Sequence, residues 1–217
     1  LGARQFMLRY IYGDELGDHP KLAASMFRDR AVQFKDRLKW DVRVDADGFE
    51  RDEYDDLNPL YVMWELPGGM HGGSMRFLPT TGRTMVNEHF ADLLTGPICS
   101  PLIWECTRFC LGAQASAHVA AALMLGGGEI MQGFGIAHFA GVFDARMVRI
   151  YRMTGSSPEI LGSSGAGLSK ISVGLWSFDA SAQACVADRA GVSPQQSGAW
   201  FQQRFGLDLR RKAAING

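Results

Sequence analysis

The chain has 217 residues, 47% of them hydrophobic and 21% charged, which is enough to bury a core without disulfides or a structural metal. Its formal net charge of -1 gives no overall attraction to nucleic acid or anionic membrane, and no stretch reaches the roughly 18–20 apolar residues that span a bilayer. Cys99, Cys106, Cys110 and Cys185 form no CxxC pair and the histidines are scattered, so no metal site is expected and the compartment is read as reducing and cytoplasmic. Residues 1–6 precede Met7, read as a start, and are left out of the fold argument; a single domain is drawn over 7–217.

Pro20 follows Asp18 and His19 as at the first turn of a helix. From there to about Leu38, Leu22, Met26, Phe27, Phe34 and Leu38 recur at helical spacing. Arg30 and Phe34, four apart, are placed on one face, and Trp40 follows the helix. Residues 41–59 are acidic with few apolar anchors and read as a long functional or disordered loop. Leu60–Leu66 and Ser74–Leu78 flank a glycine-rich turn and read as a hairpin. Leu102–Leu111 is a third strand. A helix is predicted over Ala113–Gly126, extending toward Met131, then a strand over Gly135–Phe143 and an amphipathic helix over Ala145–Met153. A strand over Ile171–Phe178 and helices from about Asp179 and Ser193 complete a mixed sheet flanked by helices.

The informative block runs from Arg30 to Arg108. It reads Arg30-x3-Phe34-x5-Trp40, then Glu50-x-Asp52-Glu53-Tyr54-Asp55, then Arg76-Phe77-Leu78-Pro79-Thr80-Thr81, Phe90, and Trp104-Glu105-Cys106-Thr107-Arg108-Phe109. Singly, each part has an ordinary explanation. Phe34 fits a core, Trp40 a helix end, 45–56 a solvated loop, and Glu105 with Arg76 or Arg108 a buried ion pair. In this order together, the set resembles the signature of the acyl-homoserine lactone synthases, the LuxI-type autoinducer synthases. The resemblance is close over the first half of the domain and loose over the rest.

The resemblance implies an α/β (α+β) fold related to the GNAT acyltransferases: a central twisted mixed sheet, V-shaped at its centre, with helices on both sides. It also implies a reaction. The α-amine of S-adenosylmethionine attacks a fatty-acyl thioester; the ligand's carboxylate then closes a lactone on its own γ-carbon, releasing methylthioadenosine and a quorum-sensing signal. S-adenosylmethionine is then a substrate, and no cofactor is expected. Such a ligand needs aromatic faces for its sulfonium and adenine, which Phe34 and Trp40 offer. It needs carboxylates for its ammonium, offered by Asp52 and Asp55, and an arginine for its carboxylate, Arg30 or Arg108. Glu105 is the candidate base, with Arg108 and Asp52 completing the catalytic set and backbone N–H groups near Arg108 as oxyanion donors. On a regular strand Glu105 and Arg108 point to opposite faces, so a bulge or splay is predicted near Cys106–Phe109.

Met85, Phe90, Ile103, Leu123, Met124 and Phe139 are candidates for an acyl-chain pocket, although core residues have the same character. Gly135 and Gly141 are expected to leave room for a longer or oxidised chain. Arg146, Arg149 and Arg152 lie three apart on a predicted helix; with Lys170 they suit either a solvated face or a docking patch for acyl carrier protein, the acidic partner the resemblance implies. Acyl-CoA is the other donor. The alternative is a GNAT-type acyl-CoA N-acyltransferase acting on another amine. Those enzymes hold pyrophosphate on an Arg/Gln-x-x-Gly-x-Gly/Ala turn, a spacing that Phe109-Cys110-Leu111-Gly112-Ala113 does not keep. A non-catalytic binding protein of the same fold is the second rival, and the retained Arg30, Asp52, Asp55, Glu105 and Arg108 argue against it.

Overall fold

A computed structural model describes residues 6–113, 115, 116 and 118–215. The predicted hairpin is formed by Leu60–Leu66 and Met70–Pro79. Gly68 and Gly69 make its turn at φ of 96° and 80°, backbone that residues with a Cβ resist. Numbered in chain order, the strands are β1 (Met7–Tyr12), β2 (Leu60–Leu66), β3 (Met70–Pro79), β4 (Ile103–Leu111), β5 (His138–Asp144), β6 (Glu159–Ser164) and β7 (Ile171–Trp176). They form one sheet in the order β1-β2-β3-β4-β5-β7-β6. Every neighbouring pair is antiparallel except β4 and β5.

The helices are α1 (Pro20–Arg30), α2 (Met85–His89), α3 (His118–Phe134), α4 (Ala145–Thr154), α5 (Ala180–Ala190) and α6 (Pro194–Ile215). Side chains alternate across the sheet. Leu8, Tyr10, Leu60, Val62, Met75 and Phe77 pack under α3, while Ile11, Tyr61 and Met63 pack against Leu22, Met26 and Phe27 of α1. Each such side chain, removed from water, contributes about 1.5–3 kcal/mol before entropy is counted. Among the described residues, no helix is long and apolar enough to cross a membrane.

Two local irregularities make the site. First, β4 and β5 pair only over Ile103–Glu105 against His138–Ala140. Beyond Glu105 and Ala140 the two strands separate, giving the V that the resemblance implied. Second, Ser74 pairs with Cys110 and Arg76 with Thr107, so β4 carries one residue more than β3 between those pairs. That is a bulge, and it lies where it was predicted; Arg108 takes it up at φ 52°. The extra residue brings Arg108 to the face already holding Glu105 and Thr107.

Several expectations change. α1 gives way after Arg30 to a π-helical turn over Ala31–Arg37, closed by Leu38 N donating to Gln33 O at 3.0 Å. The loop at 41–59 is ordered: Val44 bridges Glu50, the Asp45 carboxylate accepts from the N–H groups of Asp47 and Phe49, and Glu50 N donates to Phe27 O at 3.1 Å. The helix predicted from Ala113 starts at His118 and runs unbroken through Gly126–Gly128. β1 and β6 were not expected. Both are edge strands, and β6 is mostly exposed with a glycine and two serines, so it carries no apolar alternation to read.

Candidate active site

Behind the bulge lies a balanced cluster of three arginines and three carboxylates. Arg30 donates from Nε to Glu50 at 2.6 Å and grips Asp55 with both terminal nitrogens at 2.9 Å. Arg76 holds Asp52 at 2.5 and 3.0 Å, Asp55 at 2.7 Å and Thr107 Oγ1 at 3.0 Å. Arg108 joins Glu50 at 3.0 Å and Asp52 at 2.6 Å. The side chains of Arg30, Arg76 and Glu50 have no exposed surface. Such pairs hold together only when every remaining donor and acceptor is met. Asp55 meets this demand by also accepting from Tyr61 Oη at 2.6 Å and Asp52 N at 2.9 Å.

Burial alone would raise the carboxyls of Asp52 and Asp55. The guanidiniums of Arg76 and Arg108 beside Asp52, and of Arg30 and Arg76 beside Asp55, outweigh it and hold both below the usual carboxylate range. Glu105 differs: burial raises it, against the opposing pull of two N–H groups. Its oxygens accept from Val86 N at 2.6 Å and Met85 N at 3.1 Å. Glu105 thereby anchors the N-terminus of α2, where Thr84 makes no cap bond of its own.

In front of the bulge, the β4–β5 gap opens into a cavity of about 510 Å³. Phe34, Trp40 and Arg108 line it together, Trp40 at the surface and Phe34 buried beneath it, and Met75, Phe77, Met124, Phe139 and Phe178 are among its apolar walls. Phe34 and Trp40 stack at 5.1 Å with 13° between their planes. That spacing is full contact, so a third ring stacks on the outer face of Trp40 unless the pair opens. The Arg108 guanidinium lies 5.4 Å above the Phe34 ring.

The structure therefore divides the sequence-predicted residues. Phe34, Trp40, Arg108, Met85, Phe90, Met124 and Phe139 line the cavity. Arg30, Asp52 and Asp55 sit behind it as support, with only Asp52 keeping modest side-chain exposure. The expectation that Arg30 and Asp55 grip a ligand directly is corrected on this point, because their hydrogen-bonding groups are spent on each other and on Glu50, Arg76 and Tyr61. Ile103 and Leu123 are not in the lining; Leu123 is wholly buried in the core under α3.

Gly135 is also outside the cavity lining. Gly141 lines it, but a Cβ there would lie 2.9 Å from Cys106 O and 3.2 Å from Trp176. Its bareness serves strand approach rather than chain room. Glu50 and Arg76 belong to the cluster although the sequence assigned them no ligand role. The signal was their place in the same ordered block.

Arg146, Arg149, Arg152 and Lys170 are exposed. Lys170 O accepts from Ala145 N at 3.0 Å, at the start of α4. Arg146 reaches the cavity lining and lies 3.5 Å from Asp144. Glu53, Glu88 and His89 have ligand atoms within 4.8 Å of one another at the surface. Glu88 is already engaged by Arg83 and Tyr54, each at 2.7 Å, so this is an exposed ion-pair group.

A splayed mixed sheet flanked by helices, with an apolar cavity at the splay, is a GNAT-like fold. A family model described as autoinducer synthase matches residues 15–185. An acyl-homoserine-lactone synthase of Rhizobium etli is 41% identical over 195 residues, covering 86% of this chain and 91% of the relative. One from Pseudomonas aeruginosa is 41% identical over 97 residues, 43% of this chain and 48% of the relative. Among solved structures, the CoA-dependent acyl-homoserine lactone synthase BjaI, determined with SAM and isopentyl-CoA, matches at TM-score 0.74 and 24% identity, over 87% of this chain and 90% of that one. An N-acetyltransferase from Lactobacillus plantarum matches at 0.53 and 14%, over 79% and 99%; these structural likenesses bear on the fold. The chain belongs to the autoinducer synthase family and is an acyl-homoserine-lactone synthase, a transferase.

Proposed function

We propose that the part of the cavity lined by Phe34, Trp40 and Arg108 binds S-adenosylmethionine and that the apolar interior takes the acyl group of a fatty-acyl thioester. The observation that carries this reading is the meeting of Phe34, Trp40 and Arg108 in the lining of an apolar cavity. An aromatic pair suits adenine and sulfonium, and Arg108, whose Nε and Nη2 are held by Glu50 and Asp52 while Nη1 lies 4.0 Å from the Met85 sulfur, offers Nη1 to the ligand's carboxylate. Asp52, behind Arg108 and with modest side-chain exposure, contributes negative charge toward the ammonium. Arg30, Asp55, Glu50 and Arg76 hold these groups in place from behind.

Glu105 lies outside the cavity lining with its oxygens engaged by the Met85 and Val86 N–H groups, and it is the proposed base for the α-amine through an intervening water. Burial raises its pKa toward the working pH, which favours proton acceptance from an ammonium. The free amine attacks the acyl carbonyl, the thiolate leaves, and the ligand's carboxylate then displaces methylthioadenosine from its own γ-carbon. A sulfonium already leaves easily, so the protein's part in the second step is to hold carboxylate and γ-carbon in reach. No further cofactor enters this scheme, and the enzyme is proposed to act in the cytoplasm.

The test is methylthioadenosine release from purified protein given S-adenosylmethionine and acyl thioesters of graded length. Release is expected with fatty-acyl thioesters. Acyl transfer from acetyl-CoA to another amine, with no methylthioadenosine from any thioester, would instead support a general N-acyltransferase.

The exposed arginines of α4, with Lys170, support acyl carrier protein as the donor: a basic face beside the cavity steers an acidic carrier. Arg149→Glu is expected to lower kcat/KM for carrier-bound acyl groups about tenfold, with a weaker salt dependence, and to change acyl-CoA far less. Equal effects on the two donors would discard the docking face.

A further inference from the structure

Acyl length is left open by the reading above, and α3 bears on it. Gly126, Gly127 and Gly128 stand in succession in the middle of this helix, where glycine is the least favourable residue after proline. Each therefore calls for a local reason. A Cβ on Gly126 would lie 2.7 Å from Val62, and one on Gly128 2.0 Å from the Phe178 ring. Close approach accounts for both.

Gly127 is different. The nearest atoms to a Cβ there are the tips of Phe139 at 3.3 Å, Met75 at 3.6 Å and Phe77 at 3.7 Å. All three side chains line the cavity, and none is backbone. An alanine here asks the edge of the Phe139 ring to give by a few tenths of an ångström, and no backbone stands in its way. Met124 and Met131, three residues before and four after, share its helix face and also line the cavity. Bare backbone at Gly127 thus makes a narrow furrow in the cavity wall between two flexible thioether side chains, with the tips of Met75, Phe77 and Phe139 within contact of a Cβ placed there. Thioethers adapt to a long flexible guest.

We propose that Gly127 is the residue that sets acyl length, and that the furrow across it takes the distal part of a long, unbranched fatty-acyl chain. This rests on the proposed function, in which the cavity holds the acyl group. A short acyl group would end before the furrow and leave Met124 and Met131 uncovered. A side chain at position 127 fills the furrow, excluding the end of a long chain while leaving the thioester end of a short one in place.

The experiment compares wild type, Gly127→Ala and Gly127→Val by methylthioadenosine release with hexanoyl-, decanoyl- and tetradecanoyl-carrier thioesters, alongside thermal unfolding midpoints. Wild type is expected to prefer tetradecanoyl over hexanoyl. Gly127→Ala is expected to raise the midpoint, because alanine favours helix, while lowering kcat/KM for tetradecanoyl about tenfold or more and for hexanoyl far less. Gly127→Val should extend the loss to decanoyl. An unchanged length profile in both variants overturns the proposal, as does a wild type that prefers hexanoyl. A lowered midpoint in Gly127→Ala also overturns it, since the glycine would then be required by packing. Failure of the underlying reading is distinct: wild type would release no methylthioadenosine with any of the three thioesters.

Discussion

Asp55→Ala is expected to lower the unfolding free energy by about 3–5 kcal/mol, the usual cost of removing one partner from a buried ion pair. Two guanidiniums depend on this carboxylate. Arg30 grips it with both terminal nitrogens at 2.9 Å and Arg76 reaches it at 2.7 Å, and neither arginine has exposed side-chain surface. Without Asp55 both cations stay buried with too few acceptors. Asp55→Asn keeps the shape and one acceptor, and is expected to fall between wild type and alanine. Urea unfolding at neutral pH, followed by ellipticity, measures both. Unchanged midpoints combined with lost activity would return Asp55 to direct ligand contact.

The same geometry sets the acid limb of stability. Asp52 and Asp55 titrate below their unfolded value near ~3.9. A carboxylate with a depressed folded pKa binds its proton more readily when unfolded. Its contribution is therefore complete above the unfolded pKa and is lost as pH falls through the folded one. The unfolding midpoint is expected to decline below about pH 5, and in Asp55→Ala this decline should be shallower.

Arg108→Ala is expected to reduce kcat/KM for methylthioadenosine release about a hundredfold, equivalent to about 3 kcal/mol, the upper range for a hydrogen bond to a charged group. Arg108 is the arginine of the cluster that lines the cavity, so its loss should weigh on activity more than on stability. Its backbone sharpens the test. At φ 52° a residue with a Cβ is strained by about 1–2 kcal/mol, and glycine is not. Arg108→Gly should therefore be as inactive as Arg108→Ala yet more stable. Arg108→Lys keeps the charge but not the planar fork and is not expected to restore full activity. Activity within threefold of wild type for both Ala and Gly variants would remove Arg108 from the site.

Much of the architecture was legible because local rules and tertiary packing agree there. β2 alternates apolar side chains on both faces and was placed at its observed bounds. β4 was placed to within a residue, and its bulge followed from the conflict between period-two alternation and two charged residues three apart. The misses have physical causes. The π-helical turn at Ala31–Arg37 has no composition of its own. β6 lacks apolar alternation, so only its pairing with β7 makes it a strand.

By itself the sequence determined the family, the class of mixed sheet flanked by helices, and the central strands β2, β4, β5 and β7, because these depend on residue type, order and short-range periodicity. Only the tertiary structure decided which of the charged residues reach the cavity. Arg30 and Arg108 are the same residue type, yet one lies fully buried among Glu50 and Asp55 and the other reaches the cavity from a bulged strand. Burial and partner saturation arise from contacts across distant parts of the chain, and no local pattern carries them.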